Sequence, residues 1–138
     1  MSEAQNIILI VDDTPTNIQL LNSMLREQYK VKAATSGEKA LKIARTEPQP
    51  DIILLDIMMP EMDGYEVCRQ LKSSPLTADI PVIFITAKTA VEDEQLGFSL
   101  GSVDYITKPF NPDIVKTRVK TQLEIYHQQR KLHEENKH

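Results

Sequence analysis

Five residues in this chain carry side chains that could do chemistry together: Asp12, Asp13, Asp56, Thr86 and Lys108. Each stands at or just beyond the end of an apolar run: Ile-Ile-Leu-Ile-Val before the acid pair, Ile-Ile-Leu-Leu before Asp56, Pro-Val-Ile-Phe-Ile before Thr86, and a run ending at Ile106 before Lys108. Three carboxylates brought close repel one another unless a cation lies between them. An all-oxygen site open to water suits Mg²⁺, which keeps several waters and takes one or two protein carboxylates. An ammonium and a hydroxyl beside such a cation are equipment for handling a phosphoryl group. The metal and Lys108 would neutralise its oxygens, Thr86 would hydrogen-bond one of them, and a carboxylate could attack phosphorus to give an aspartyl phosphate. Asp56 is the best placed nucleophile because it stands alone after its run, and the pair Asp12 and Asp13 suits the metal. Singly, each residue reads as a solvated strand end or a turn cap. The set of five points to phosphoryl chemistry.

Elements that could bring the five together follow from the pattern around them. Runs of four or five apolar residues without alternation are too short for helices and fit strands buried on both faces of a parallel sheet. Between them the spacing predicts helices. Thr14 and Pro15 open one carrying Ile18, Leu21 and Leu25 on a single face. Residues 29–34 alternate weakly with Lys30 and Lys32, which suits an edge strand. Thr35 and Glu38 have capping-box spacing for a second helix with Ala40, Leu41 and Ala44, before Pro48 and Pro50 break the pattern. Asp63 and Glu66 repeat that spacing for a third helix through Leu71. Thr89 and Glu92 would cap a further helix with a poor apolar face, in which Gly97 costs about 1 kcal/mol relative to alanine. Asn111 and Pro112 start a long last helix. Strand and helix in alternation predict an α/β fold, a doubly wound five-stranded parallel sheet with helices on both faces. Parallel strands all point the same way, so their carboxyl ends share one rim, where open α/β sheets bind ligands.

Composition bounds the rest. The 138 residues fit one domain able to bury a core, and a net charge of -4 gives no basic surface for nucleic acid. The single cysteine, Cys68, cannot form an internal disulfide and falls within the third helix as a packed thiol. No secretory signal or membrane-length apolar run appears, so the cytoplasm is the expected location.

Val11-Asp12-Asp13, Leu55-Asp56-Ile57-Met58-Met59-Pro60, Met62-Asp63-Gly64, Thr86-Ala87, and Asp104-Tyr105 leading into Lys108-Pro109-Phe110 resemble the receiver domain of two-component response regulators. The resemblance runs from about Asn6 through the helix that begins at Asn111. It implies that Asp56 is the phosphoacceptor, charged by a histidine on a sensor kinase or phosphotransfer protein. It also implies that Asp13 and Asp56 ligate Mg²⁺ directly, Asp12 acts mainly through water, and the backbone carbonyl of Met58 completes the protein ligands. Thr86 and Tyr105 match the family's switch pair, Lys108 its phosphate-binding lysine, and Met58 and Lys88 the two side chains flanking the phosphoryl group. By the same resemblance the peptide before Pro109 is cis and the sheet order is 2-1-3-4-5, the flavodoxin-like arrangement. A phosphoryl group would draw the Thr86 hydroxyl toward it, let Tyr105 turn inward, and change the surface of the helix after Thr89, the fifth strand and the last helix. A homodimer strengthened by phosphorylation is expected on that surface. One departure is Gly101-Ser102-Val103, where the family carries a more acidic approach to the fifth strand and only Asp104 is acidic here.

Two other classes share parts of this pattern. An aspartate-nucleophile phosphatase of the haloacid dehalogenase type needs a second acid two residues after its nucleophile, but Met58 follows Asp56 at that spacing and Thr14 follows Asp12. A flavin or nucleotide module needs glycines after the first strand, where this chain has Asp-Asp-Thr-Pro.

The carboxyl end carries less. From Lys120 onward the last helix is expected to outrun the sheet, and His127, His133 and His138 lack the spacing of a helical metal pair. Residues 4–124 are expected to form the receiver, and 125–138 a helical extension or linker to an output domain outside this sequence. Such a tail resembles linkers to cyclic-dinucleotide enzymes or histidine-kinase modules.

Overall fold

The apolar runs are the strands of one parallel sheet. The computed structural model of the chain describes residues 5–87 and 99–135, with side chains as far as residue 129. Strands β1 (Ile7–Val11), β2 (Lys30–Ala34), β3 (Ile52–Asp56), β4 (Val82–Thr86) and β5 (Asp104–Thr107) lie in the order β2-β1-β3-β4-β5. Every neighbouring pair is parallel. The fold is the flavodoxin-like, doubly wound α/β arrangement expected above.

Helices α1 (Pro15–Leu25), α2 (Gly37–Arg45), α3 (Gly64–Lys72) and α4 (Pro112–Glu135) cover both faces. Every residue of β1 and β3 is buried, which is why these strands read as continuous apolar runs. Successive side chains in a strand point to opposite faces, so one strand feeds two cores. Leu9, Val11, Ile53, Leu55 and Phe84 pack with α2 and α3, whereas Ile8, Ile10, Ile52, Leu54 and Ile83 pack with α1 and α4. Strand β2 is an edge, and its Lys32 ammonium donates to the Pro48 carbonyl at 2.8 Å.

Local capping departs from expectation in two places. Helix α2 starts at Gly37, so its cap is Ser36, whose hydroxyl accepts from the Lys39 amide at 3.3 Å, and not Thr35 one residue earlier. At α1 Thr14 holds the cap position but its hydroxyl makes no cap bond; the Thr14 amide donates instead to Asp12 Oδ1 at 2.9 Å. Asp63 caps α3 as expected, accepting from the Glu66 amide at 2.9 Å. Asn111 Oδ1 accepts from the amides of Asp113 and Ile114 at the start of α4.

Cys68 is fully buried, donates to the Leu100 carbonyl at 3.5 Å, and has its thiol pushed up by burial, so it is a packed residue. Helix α4 stays packed further than expected. Leu123 and Tyr126, both beyond Lys120, are buried, and His127 Nε2 lies 2.9 Å from Asn6 Oδ1 at the start of β1. Among the described residues no helix is long and apolar enough to cross a membrane. The helix expected after Thr89, together with Lys88 and Gly97, lies outside the described residues.

Candidate functional site

The strands deliver their carboxyl ends to one rim. Asp12 and Asp13 follow Val11, β3 ends on Asp56, β4 ends on Thr86, and Lys108 follows Thr107. Register fixes the relative heights: Asp56 pairs with Ile85 and Thr86 with Thr107, so Thr86 and Lys108 each stand one step beyond a paired position. The Lys108 amide donates to the Thr86 carbonyl at 2.8 Å, and the Lys108–Pro109 peptide is cis, as the resemblance implies.

One carboxylate oxygen from each of Asp12, Asp13 and Asp56 lies within 4.8 Å of the others. Asp12 is fully buried, Asp56 nearly so, and Asp13 faces solvent. Lys108 Nζ stands 3.5 Å from Asp56 Oδ1 and 3.8 Å from Asp12 Oδ2. Among the described residues Lys108 thus pairs with two of the three acids. The surplus shows at Asp56, whose carboxyl is pushed up to about 6 by burial first and then by Asp12, with Asp13 adding to the rise and Lys108 opposing it.

Asp12 Oδ2 is buried and accepts no hydrogen bond among the described residues. A buried carboxylate oxygen left without a hydrogen bond is costly; the Lys108 ammonium faces this one from 3.8 Å without bonding it, so a further cation would complete its surroundings. Three hard carboxylate oxygens within 4.8 Å of one another, one of them from solvent-facing Asp13, match the donor preference of Mg²⁺. The residues present therefore fit the metal that their spacing suggested.

Thr86 and Tyr105 share a face of the sheet. Phe84 pairs with Tyr105 in the register, and Thr86 lies two residues beyond Phe84, so all three point to the α2 and α3 side. Tyr105 is buried, its ring centroid 5.9 Å from that of Phe84. Met58 is 77% exposed at the rim. Lys88 falls outside the described residues.

Two features were not legible in the sequence. A groove of about 410 Å³ beside β5 is lined by Asp104, Asp113, Ile114, Thr117, Arg118 and Thr121. Across it Arg118 Nη1 pairs with Asp104 Oδ1 at 2.7 Å, a contact between residues 14 apart that no helical or strand period announces. The second is Gly64, quoted above only as part of a motif, where a Cβ would run into the backbone of Asp56 and Ile57.

The family model for the response regulator receiver domain matches residues 8–120. A Vibrio cholerae protein named "Probable cyclic di-GMP phosphodiesterase" is 53% identical over 121 residues, 88% of this chain and 27% of its own length. A receiver domain protein described as CheY-like, from Methanospirillum hungatei, superposes with a TM-score of 0.83 at 26% identity, covering 91% of this chain and 99% of that one. The receiver domain of a sensor histidine kinase from Pseudomonas aeruginosa superposes at 0.79 and 29% identity, over 88% of this chain and 99% of its own, and carries a magnesium ion coordinated in its active site cleft. This chain spans less than half the length of the curated relatives it matches. The family model spans residues 8–120, most of this chain, and the relatives share that same part of their length: the chain belongs to the response regulator receiver domains.

Proposed function

We propose that this receiver accepts a phosphoryl group on Asp56 in a Mg²⁺-dependent reaction, from a sensor histidine kinase or a phosphotransfer protein, and passes the change to an output domain or partner. The observation that carries the reading is the meeting of three strand-end carboxylates within 4.8 Å, with Lys108 Nζ 3.5 Å from Asp56. A carboxylate oxygen of Asp56 attacks phosphorus, the bond to the donor nitrogen breaks, and the electron pair leaves with the donor. Lys108 holds one phosphoryl oxygen by charge, and the Thr86 hydroxyl donates to another. Asp13, Asp56 and the Met58 carbonyl would hold Mg²⁺ directly, with Asp12 acting mainly through water. The metal supplies charge that neutralises the phosphoryl oxygens. The chain is a phosphoacceptor that catalyses its own charging and discharge, and it is not a multiple-turnover enzyme. A small phosphodonor should leave stable label on the protein, with no turnover of nitrophenyl phosphate; sustained turnover would favour a phosphatase.

Lifetime of the adduct is expected to depend on Met58, with Lys88 the other flanking side chain. Exposed and apolar, Met58 offers an attacking water no hydrogen bond. Met58→Asn should hasten loss of the phosphoryl group several-fold, as read by the decay of the mass adduct after removal of the donor. An unchanged or slower decay would remove Met58 from this role.

Thr86 and Tyr105 are the proposed switch pair. Phosphorylation would act by drawing the Thr86 hydroxyl toward the phosphoryl group and so favouring the buried position of the Tyr105 ring, a shift of population between existing states. The surface so stabilised includes β5 and α4, with the groove of about 410 Å³ between them, and the occupant proposed for it is a second copy of this chain. Half-exposed Ile114 and Ile125 on α4 would be covered there, and Leu132 lies one heptad after Ile125, enough to extend a dimer formed by the receiver. Sedimentation with beryllofluoride, a mimic of the aspartyl phosphate, should shift the protein toward dimer, and Thr86→Ala should resist that shift. Unaltered monomer across the concentration range would contradict the dimer.

The receiver is proposed to occupy residues 4–124 and to continue through 125–138 into an output domain in a longer protein. A cytoplasmic setting without membrane contact is proposed, and the net charge of -4 supports the absence of direct nucleic-acid contact by this region.

A further inference from the structure

We infer that Gly64 is a positioning residue for the acid rim, and that the first turn of α3 sets the geometry of Asp56 and of the Met58 carbonyl by direct backbone contact. The inference deepens the phosphoacceptor reading and rests on it. A Cβ at position 64 would stand 2.4 Å from the Asp56 carbonyl oxygen, 2.8 Å from Ile57 Cα and 3.0 Å from the Asp56 carbonyl carbon. All three atoms are backbone, which cannot swing aside as a side chain can. Gly37, the other helix-opening glycine, differs in kind, because a Cβ there would meet the side-chain atoms Val67 Cγ2 at 2.7 Å and Met62 Sδ at 2.9 Å.

Glycine is not required at 64 by its own torsion, which lies outside the left-handed region. It is required by proximity. The same residue closes the loop, its amide donating to the Ile57 carbonyl at 2.9 Å, while Asp63 Oδ1 caps the Glu66 amide and fixes where the helix begins. Residues 57–63 are therefore pinned between the end of β3 and the start of α3, and Met58 lies within that span. Any added bulk at 64 must move the Asp56 peptide, the helix, or both. The carboxylate and the Met58 carbonyl would then lose their common aim, while the core beneath, centred on residues such as Leu71 of the same helix, stays filled.

Three measurements on the whole chain test this. In the parent, Mg²⁺ binding followed by calorimetry or amide shifts, with phosphate uptake from a small donor, first establishes the underlying reading; failure there removes the phosphoacceptor reading itself. Gly64→Ala is then expected to weaken Mg²⁺ binding by about tenfold, the scale seen when support for a ligand is lost. Leu71→Ala, a control that loosens the same helix away from the rim, should bind Mg²⁺ within about twofold of the parent at a temperature where it is folded. Parent-like Mg²⁺ affinity in folded Gly64→Ala, or an equal loss in Leu71→Ala, overturns the proposal. A third readout needs no variant: the Gly64 amide of the parent should exchange with deuterium more slowly once Mg²⁺ is bound, because its bond to Ile57 closes the span that holds the metal. If Gly64→Ala does not fold, that protection decides alone, and unchanged exchange overturns the proposal.

Discussion

In the absence of metal, Asp56→Asn should be more stable than the parent at neutral pH, and excess Mg²⁺ should reverse the order. The Asp56 carboxyl is pushed from an ordinary 3.8 up to about 6, by burial and then by Asp12. A group whose pKa is raised in the folded state destabilises that state once ionised, by about 1.4 kcal/mol per unit at most; solvent at the open rim reduces the whole effect to roughly 1–2 kcal/mol. The sign follows from which state keeps the proton. Below pH 3.8 both folded and unfolded forms are protonated and the variant gains nothing. Between that value and about 6 the unfolded chain releases its proton while the folded chain retains it, so stability falls as pH rises. Above about 6 the full penalty is present and the asparagine variant keeps its whole advantage. Mg²⁺ at a hundredfold excess over its dissociation constant would stabilise a binding-competent parent by about 2.7 kcal/mol, enough to invert the ranking. Denaturant melts in EDTA at acid and neutral pH, repeated in Mg²⁺, check both halves. Equal stability of the two proteins in EDTA at neutral pH would mean that the rim is not electrostatically loaded.

Lys108→Ala should move metal binding and phosphate uptake in opposite directions. Among the described residues Lys108 is the cation paired with both Asp12 and Asp56, at 3.8 and 3.5 Å. Removing it leaves the acids more anionic, so Mg²⁺ should bind as tightly or more tightly. The phosphoryl oxygens, however, lose a fixed positive charge where negative charge must be held, a loss on the order of 100-fold in rate when one such group is deleted from a preorganised site. Titration with Mg²⁺ and the rate of adduct formation at saturating metal separate the two effects. A parallel fall in both would mark Lys108 as a general support of the fold.

Most of the fold was legible because burial on both faces leaves a plain trace. The runs at β1 and β3 are continuous because α1 and α4 cover one side and α2 and α3 the other, and β2 betrayed its edge position by Lys30 and Lys32. The rim was legible for the same reason, since parallel strands ending in Asp, Asp, Thr and Lys have nowhere else to put them. Finer placement was hidden where a choice depends on three-dimensional contact. Thr35 and Ser36 are equivalent caps by composition, and only the start of the helix at Gly37 selects Ser36. The sheet order came with the family resemblance, because alternation alone does not order five strands. The seat of Tyr105 depends on Phe84, a partner supplied by strand register. Packing of α4 through Tyr126 depends on a core from elements far away in sequence, and Gly64 looks like any turn glycine until the Asp56 carbonyl is found against it.

The phosphoacceptor assignment is tested most directly by intact mass. Incubated with a small phosphodonor and Mg²⁺, the parent should gain the mass of one phosphoryl group, and peptide mapping should place it on Asp56. The gain should vanish in Asp56→Ala and fall sharply in excess EDTA. An adduct of the same size and rate in Asp56→Ala, or full-rate formation without divalent metal, would contradict the assignment.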